Sequence, residues 1–246
     1  MDPVVLNALA TDAIVALVAL VASTVAAIAG FGGSAIMLPV LVWAFGVRDA
    51  IPILTVSQLL GNLSRVWFNR SEVEGRVVQW FALGAVPAAV AGGVVFATAP
   101  TPALSRLLGA FLLVTVLYRH TAWGRQLRVK LRGFLPIGFS FGFLSAIVGG
   151  VGPMMAPFFL AYGLVRGAYI GTEALSTVTM HVTKLGVYGG YDLLSSRTIL
   201  IGLAIGGVMF LGSYLGKRIL TVVPERVFPV IVEVALVAGG ILLLIG

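Results

Sequence analysis

The chain has 246 residues, of which 59% are hydrophobic and only 10% charged, against roughly 25% charged in an ordinary soluble domain. That balance excludes a water-soluble globular protein, and zero cysteines with only His120 and His181 exclude disulfides, thiolate sites and a His-based metal centre, so no cofactor or redox chemistry is indicated. The formal charge of +7 does not imply a nucleic-acid partner, because the Lys and Arg residues fall in short loops between apolar runs instead of covering one soluble face.

In chain order, Asp2 and Asp12 stand where a cleavable signal would be basic, and the apolar stretch continues past Gly33, so the N-terminus is expected to stay. Apolar segments follow at about 14–29, 34–46, 50–68, 76–97 and 102–119. After a basic linker at 120–133 come a second five, at about 134–148, 153–165, 167–187, 198–216 and 227–245. The expected organisation is a first membrane repeat over 1–119 and a second over 134–246. Internal likeness supports the pairing: Gly30-Phe31-Gly32-Gly33-Ser34 with Pro39 answers Gly149-Gly150-Val151-Gly152-Pro153 with Pro157. Phe45-Gly46 answers Tyr162-Gly163, and Thr55 answers Thr172. Duplicated apolar sets of this kind are a recurrent plan of membrane carriers.

Positive charge sets the orientation. The linker, with Arg119, Arg125, Arg128, Lys130 and Arg132, is placed in the cytoplasm. If each half crosses an odd number of times, Arg70, Arg76, Arg166, Lys217, Arg218 and Arg226 are also inside, leaving mainly Arg48, Arg106 and Arg197 outside. The fold class expected is thus an all-α integral membrane protein of two inverted-topology repeats of about five segments each. The first two segments of each half fall short of the roughly 20 residues of a full span. Their Gly-rich joints suit re-entrant hairpins whose tips meet near the midplane, surrounded by protein or water; the alternative is ten ordinary tilted helices in which glycine permits close packing. The small-residue faces at Gly84, Gly92, Gly93, Gly206, Gly207, Gly212 and Gly216 pack either within the monomer or across a homodimer.

The third segments carry the strongest functional signal. Thr55, Gln58, Asn62 and Arg65 share one helix face, as do Glu173, Ser176, Thr177, Met180, His181 and Lys184. Polar stripes on membrane helices are costly unless they meet a partner or a watery path. Arg65 and Lys184 are candidate cations at opposite entrances, and Thr55, Ser57, Gln58, Asn62, Ser176, Thr177 and Thr179 are candidate replacements for an ion's hydration. Helix starts at Gly33 and Gly152, in tips formed by Gly30, Gly32, Gly33, Ser34, Gly149, Gly150 and Gly152, would aim N–H groups at the same point and suit an anion.

Each residue also has a structural reading. Arg65 and Lys184 can snorkel to the interface, and Ser or Thr often bonds a carbonyl one turn back. His181 is either a packed neutral ring, a proton relay or an anion contact. Glu173 lacks a local counter-charge and is the candidate for proton coupling, with an ion pair to a neighbouring helix as the alternative. Glu233 has an equal chance of pairing a buried cation. Rival functions are an open anion channel, a cation or metabolite carrier using Glu173 and Glu233, and an intramembrane serine protease using Ser34 or Ser145 with His181.

Together the Ala-Gly-Phe-Gly-Gly motif with Pro39, the repeated Gly-Gly-Val-Gly-Pro with Pro157 and the basic loop between halves resemble the TauE/SafE family of sulfite exporters over nearly the whole chain. The resemblance implies secondary transport of small anionic substrates such as sulfite, sulfoacetate, thiosulfate or related sulfonates through the bacterial cytoplasmic membrane. It carries over only the Gly-rich motifs, not individual substrate contacts.

Overall fold

The computed structural model describes residues 3–29, 33–120 and 128–219, with Val237 and Ile241. Among these every regular element is helical: α1 (Pro3–Ala29), α2 (Gly33–Phe68), α3 (Gly75–Thr98), α4 (Thr101–His120), α5 (Phe134–Val148), α6 (Gly152–Ala161), α7 (Arg166–Gly190) and α8 (Ser196–Ile219). Short 3-10 turns at Arg70–Glu72 and Leu131–Gly133 join some of them. Five of the helical stretches are long and apolar enough to cross a membrane, and Leu17, Leu83, Leu117 and Leu200 are each more than 60% exposed on the outside. A surface of that kind suits acyl chains, and the chain is a multi-pass membrane protein. Gly30, Gly32, Arg125, Arg226 and Glu233, with the rest of the expected last segment apart from Val237 and Ile241, lie outside the described residues.

Helix limits follow local chemistry. The expected division between the second and third segments is a break inside α2 at Gly46, where φ is 75° and ψ 164°, a conformation that costs glycine little and other residues much. Its counterpart Gly163, after α6, has φ 104°. At the end of α5, Gly149 has φ 82° and returns its N–H to the Ser145 carbonyl at 2.9 Å, the usual glycine stop. Pro153 then opens α6, where a missing N–H is harmless.

One boundary departs from expectation. α1 begins at Pro3, not near residue 14, and Leu9–Ile28 alone is long enough for a span. Apolar counting stops at the hydrocarbon edge, whereas backbone hydrogen bonding carries a helix on through polar residues such as Thr11 and Asp12. The second segments remain short, at 33–45 before the Gly46 break and 10 residues in α6.

Packing sorts the long helices into two bundles that are not the two halves of the sequence. α3 lies on α5 and α7, whereas α8 lies on α1 and α2. Each half therefore lends its fourth segment to the other half. Glycine sets the closeness of these contacts: a methyl at Gly84 would strike the Leu135 carbonyl, at Gly138 the Phe81 carbonyl and at Gly142 the Ala85 carbonyl. Residue numbers rise together along this contact, so α3 and α5 run parallel. Gly212 meets Leu20 and Ser23, and Gly216 meets Thr24 and Ala27, so α1 and α8 are parallel as well. Gly202 meets Ile53 and Val56, and Gly206 meets Leu60, which aligns the second arm of α2 with α8.

The seam between the bundles is the contact of α2 with α7. Arg65 meets Glu173 at one end and Thr55 lies against Tyr188 at the other, so these two corresponding segments run antiparallel. Just past the Gly46 break in α2, Arg48 donates to the carbonyls of Phe96 (3.1 Å), Ala97 (3.0 Å) and Ala99, closing the C-terminus of α3.

The choice left open for the small-residue faces is now answered for the described residues. Gly84, Gly92, Gly93, Gly206, Gly212 and Gly216 all pack inside the chain, whereas a Cβ at Gly207 meets nothing within 4 Å. Gly84→Leu or Gly142→Val is accordingly expected to destabilise the detergent-solubilised protein by about 3 kcal/mol or more. Gly207→Ala should stay within about 0.5 kcal/mol, and thermal unfolding of the three variants checks both.

Candidate functional site

The periodicity that puts residues 58, 62 and 65 on one face of α2, and 173, 177, 180 and 181 on one face of α7, turns both faces inward across the seam. Between them lies a cavity. From α2 it is lined by Gly33, Ser34, Gln58, Asn62 and Arg65; from the α5–α6 joint by Ser145, Gly149, Gly150, Val151 and Gly152; and from α7 by Glu173, Thr177, Met180 and His181. The two Gly-rich joints meet here, since a Cβ on Gly150 would collide with the Ser34 side chain, and one on Gly33 would come to 3.4 Å from Gln58 Nε2.

Arg65 is the cation of the cavity. Its Nη1 lies 3.3 Å from Glu173 Oε2, and its Nη2 donates to Asn62 Oδ1. Thr177 Oγ1 donates to the other carboxylate oxygen, Oε1, at 3.3 Å. The pair is buried, with side-chain exposures of 8% and 2%, so Arg65 does not snorkel. The counter-charge that Glu173 lacks on its own helix comes from α2, 108 positions away. Removing either partner alone would leave an uncompensated buried charge, at a cost of about 3–5 kcal/mol.

Lys184 stands apart from this arrangement. It is fully buried, but it does not line the cavity. Its Nζ reaches Ser145 Oγ (3.1 Å), the Ser145 carbonyl (3.4 Å) and the Gly149 carbonyl (3.3 Å). Three acceptors match the three donors of an ammonium group. Lys184 thus secures the last turn of α5 and the start of the second tip from behind, and a cation at that helix end also answers the dipole.

Two side chains that line the cavity each carry a buried polar atom with no hydrogen-bond partner, Gln58 Nε2 and His181 Nδ1. An unsatisfied buried group costs about 1–3 kcal/mol, which is tolerable where a ligand or water completes it. No hydrogen bond joins His181 to Ser34 or Ser145, and the Ser145 hydroxyl is taken by Lys184.

Of the sequence candidates, Gln58, Asn62, Arg65, Thr177, His181 and Glu173 converge with Gly33, Ser34, Gly149, Gly150 and Gly152. Thr55, Ser57, Ser176 and Thr179 do not. Their hydroxyls donate to Ile51 (2.8 Å), Leu54 (3.1 Å), Thr172 (2.8 Å) and Ser176 (2.7 Å) carbonyls one turn back, the local bond that polar residues in membrane helices commonly make. Ser145 and Val151 were not foreseen as lining. The available signal was that Ser145 is one of only two polar side chains in α5, four residues before Gly149.

No curated protein and no solved structure matches the chain. A family model described as "Sulfite exporter TauE/SafE" matches residues 15–243, nearly the whole length. With polar faces opposed across a seam of apolar helices and Gly-rich joints meeting between them, the chain belongs to the TauE/SafE family of sulfite exporters.

Proposed function

We propose that this protein is a secondary transporter that moves small sulfur-containing oxyanions, such as sulfite, sulfoacetate, thiosulfate or related sulfonates, across the bacterial cytoplasmic membrane by alternating access. The observation that carries the proposal is the cavity itself, where the Arg65 guanidinium and the open Gln58 amide lie beside two Gly-rich helix starts, at Gly33 and Gly152. Guanidinium and amide N–H donors are the groups that replace water around an oxyanion, and helix starts add N–H groups and a positive dipole end. Glu173 holds the guanidinium in the empty site. An arriving oxyanion offers the same geometry as that carboxylate and exchanges with it, and a proton on Glu173 would free Arg65 for the exchange.

The reading as inverted repeats draws support from three features. Gly46 and Gly163, which correspond in sequence, both take the left-handed conformation; the corresponding helices α2 and α7 run antiparallel; and the contact of α3 with α5 and α7 mirrors that of α8 with α1 and α2. Because the halves exchange their fourth segments, the moving bodies are assigned by packing. One body is α1, the second arm of α2 and α8; the other is α3, α5 and α7. The substrate path runs along their seam, and the Gly-rich joints are its re-entrant tips.

Vesicle uptake of a labelled sulfonate tests the site. Arg65→Gln alone should both destabilise the protein and weaken transport. The double variant Arg65→Gln/Glu173→Gln removes both charges, so it should recover most of the stability yet still lose about tenfold or more in apparent affinity. Wild-type affinity in the folded double variant would remove Arg65 from the substrate site. Gln58→Leu is expected to weaken affinity by about fivefold, as for a neutral hydrogen bond of about 1 kcal/mol. Thr179→Val, whose hydroxyl is spent on its own helix, should transport with unchanged affinity; the reverse order of the two effects would shift the site along the helices.

A further inference from the structure

Among the described residues a third buried polar atom besides those of Gln58 and His181 lacks a hydrogen-bond partner, the Tyr169 hydroxyl. Tyr169 is only 5% exposed, belongs to the apolar core and does not line the cavity. Phenylalanine would fill the same space without leaving a buried hydroxyl unpaired. The phenol is nevertheless well placed. Tyr169 precedes Glu173 by four residues on α7 and Thr177 follows it by four, so the three share one helix face. The phenol also lies within electrostatic reach of both Glu173 and Arg65. Helix side chains lean toward the N-terminus, so the Glu173 carboxylate leans over the turn that Tyr169 occupies.

In the empty site Glu173 Oε2 is held by Arg65 Nη1 and Oε1 by Thr177 Oγ1, each at 3.3 Å. If Arg65 turns to an anion, Oε2 loses this donor in a buried place where an unpaired carboxylate oxygen is unfavourable. Neighbouring groups are bonded elsewhere: Asn62 Nδ2 donates to the Gln58 carbonyl, Asn69 Nδ2 to the Arg65 carbonyl and Ser176 Oγ to the Thr172 carbonyl. Of the three atoms without a partner, that of His181 lies eight residues beyond Glu173, about 12 Å along the axis. Gln58 is seven residues from Arg65 on the antiparallel α2, about 10 Å away in the same direction. Tyr169 is one turn away, about 6 Å, on the other side of the pair.

We propose that Tyr169 is a positioning residue of the transport cycle: idle while Arg65 holds Glu173, its hydroxyl donates to the Glu173 carboxylate when Arg65 turns to the anion. This rests on the anion-carrier reading and names what receives Glu173 in the loaded site. With the phenol as its new donor, Glu173 releases Arg65 as an ionised carboxylate, and the phenol keeps its proton. A hydroxyl bonded to a carboxylate is roughly twice as strong as a neutral pair. Because the bond exists only in the loaded site, it favours anion binding without stabilising the empty protein.

The test compares the full-length unaltered protein, Tyr169→Phe, Glu173→Gln and the double variant. Thermal unfolding in detergent reads the empty state, and the concentration dependence of labelled methanesulfonate uptake in proteoliposomes reads the loaded one. Without anion, Tyr169→Phe is expected to unfold at the temperature of the unaltered protein or above it. Its apparent affinity for methanesulfonate should be about tenfold weaker, and a fixed concentration of methanesulfonate should raise its unfolding temperature less. In the Glu173→Gln background, where the acceptor is neutral, the same replacement should weaken affinity by about threefold or less. Unchanged affinity in Tyr169→Phe, or unfolding at a lower temperature without anion, overturns the proposal and leaves the carrier reading standing. A loss of affinity as large in the Glu173→Gln background does the same, since the hydroxyl then acts on another group. Failure of the unaltered protein to bind or move methanesulfonate overturns both. If Glu173→Gln does not fold, the contrast between unfolding temperature and affinity in Tyr169→Phe decides by itself.

Discussion

The ion pair of Arg65 with Glu173 is the constraint on which the rest of the arrangement turns. It joins α2 to α7, the two helices that face each other between the bundles, and it does so inside the protein, where two charges are retained only at close range and with further hydrogen bonds. Asn62 and Thr177 supply those bonds, one on each partner. The pair therefore fixes the register of the seam and holds a guanidinium ready beside a cavity. A purely apolar seam would hold the bundles together as well, but it would offer nothing to an anion.

The apolar and glycine contacts around it divide the labour. Backbone-to-backbone closeness along α3–α5 and α1–α8 makes each bundle stiff, because a methyl group at Gly84, Gly142 or Gly216 has no room. Across the seam, by contrast, the contacts are side chains and two glycine-rich tips. Ser34 and Gly150 touch there, and Lys184 anchors the second tip through carbonyls of the α5 end. Closely packed bodies with a polar boundary between them suit the carrier proposed above. α3 packs on helices of the second half of the sequence and α8 on helices of the first, so neither half packs by itself.

Much of this was legible in the sequence, and the limits have physical causes. Apolar run length located nine of the ten expected segments, the tenth lying almost wholly outside the described residues, since hydrocarbon thickness is a property that composition reports directly; the exception in detail is the start of α1, where the helix outlasts the apolar count. The 3.6-residue period placed Gln58, Asn62, Arg65, Glu173, Thr177 and His181 on inward faces, and the matched glycine clusters pointed to the joints that meet. What periodicity reads is one helix at a time. It does not reveal that Arg65 and Glu173 pair, or that Lys184 turns to the α5 terminus instead of the cavity, because those partners lie 108 and 35 to 39 positions away. Nor does it separate hydroxyls that face a site from those, like Thr55 and Ser176, that bond their own helix. Whether small faces pack within a chain or between chains is likewise settled by contacts alone, and here Gly92 and Gly212 are spent internally.

If transport depends on the two bundles moving against each other, their separation must take two values. The chain has no cysteine, so paired spin labels can be introduced cleanly. Leu83→Cys on α3 with Leu200→Cys on α8 reports across the seam, and Leu17→Cys on α1 with Leu200→Cys reports within one bundle, all three leucines being more than 60% exposed. Measured as distance distributions in proteoliposomes, the pair across the seam should show two populations whose balance shifts when a sulfonate is added, and the pair within the bundle one population that does not shift. A single distance across the seam, unchanged by added sulfonate, would contradict motion of one bundle against the other.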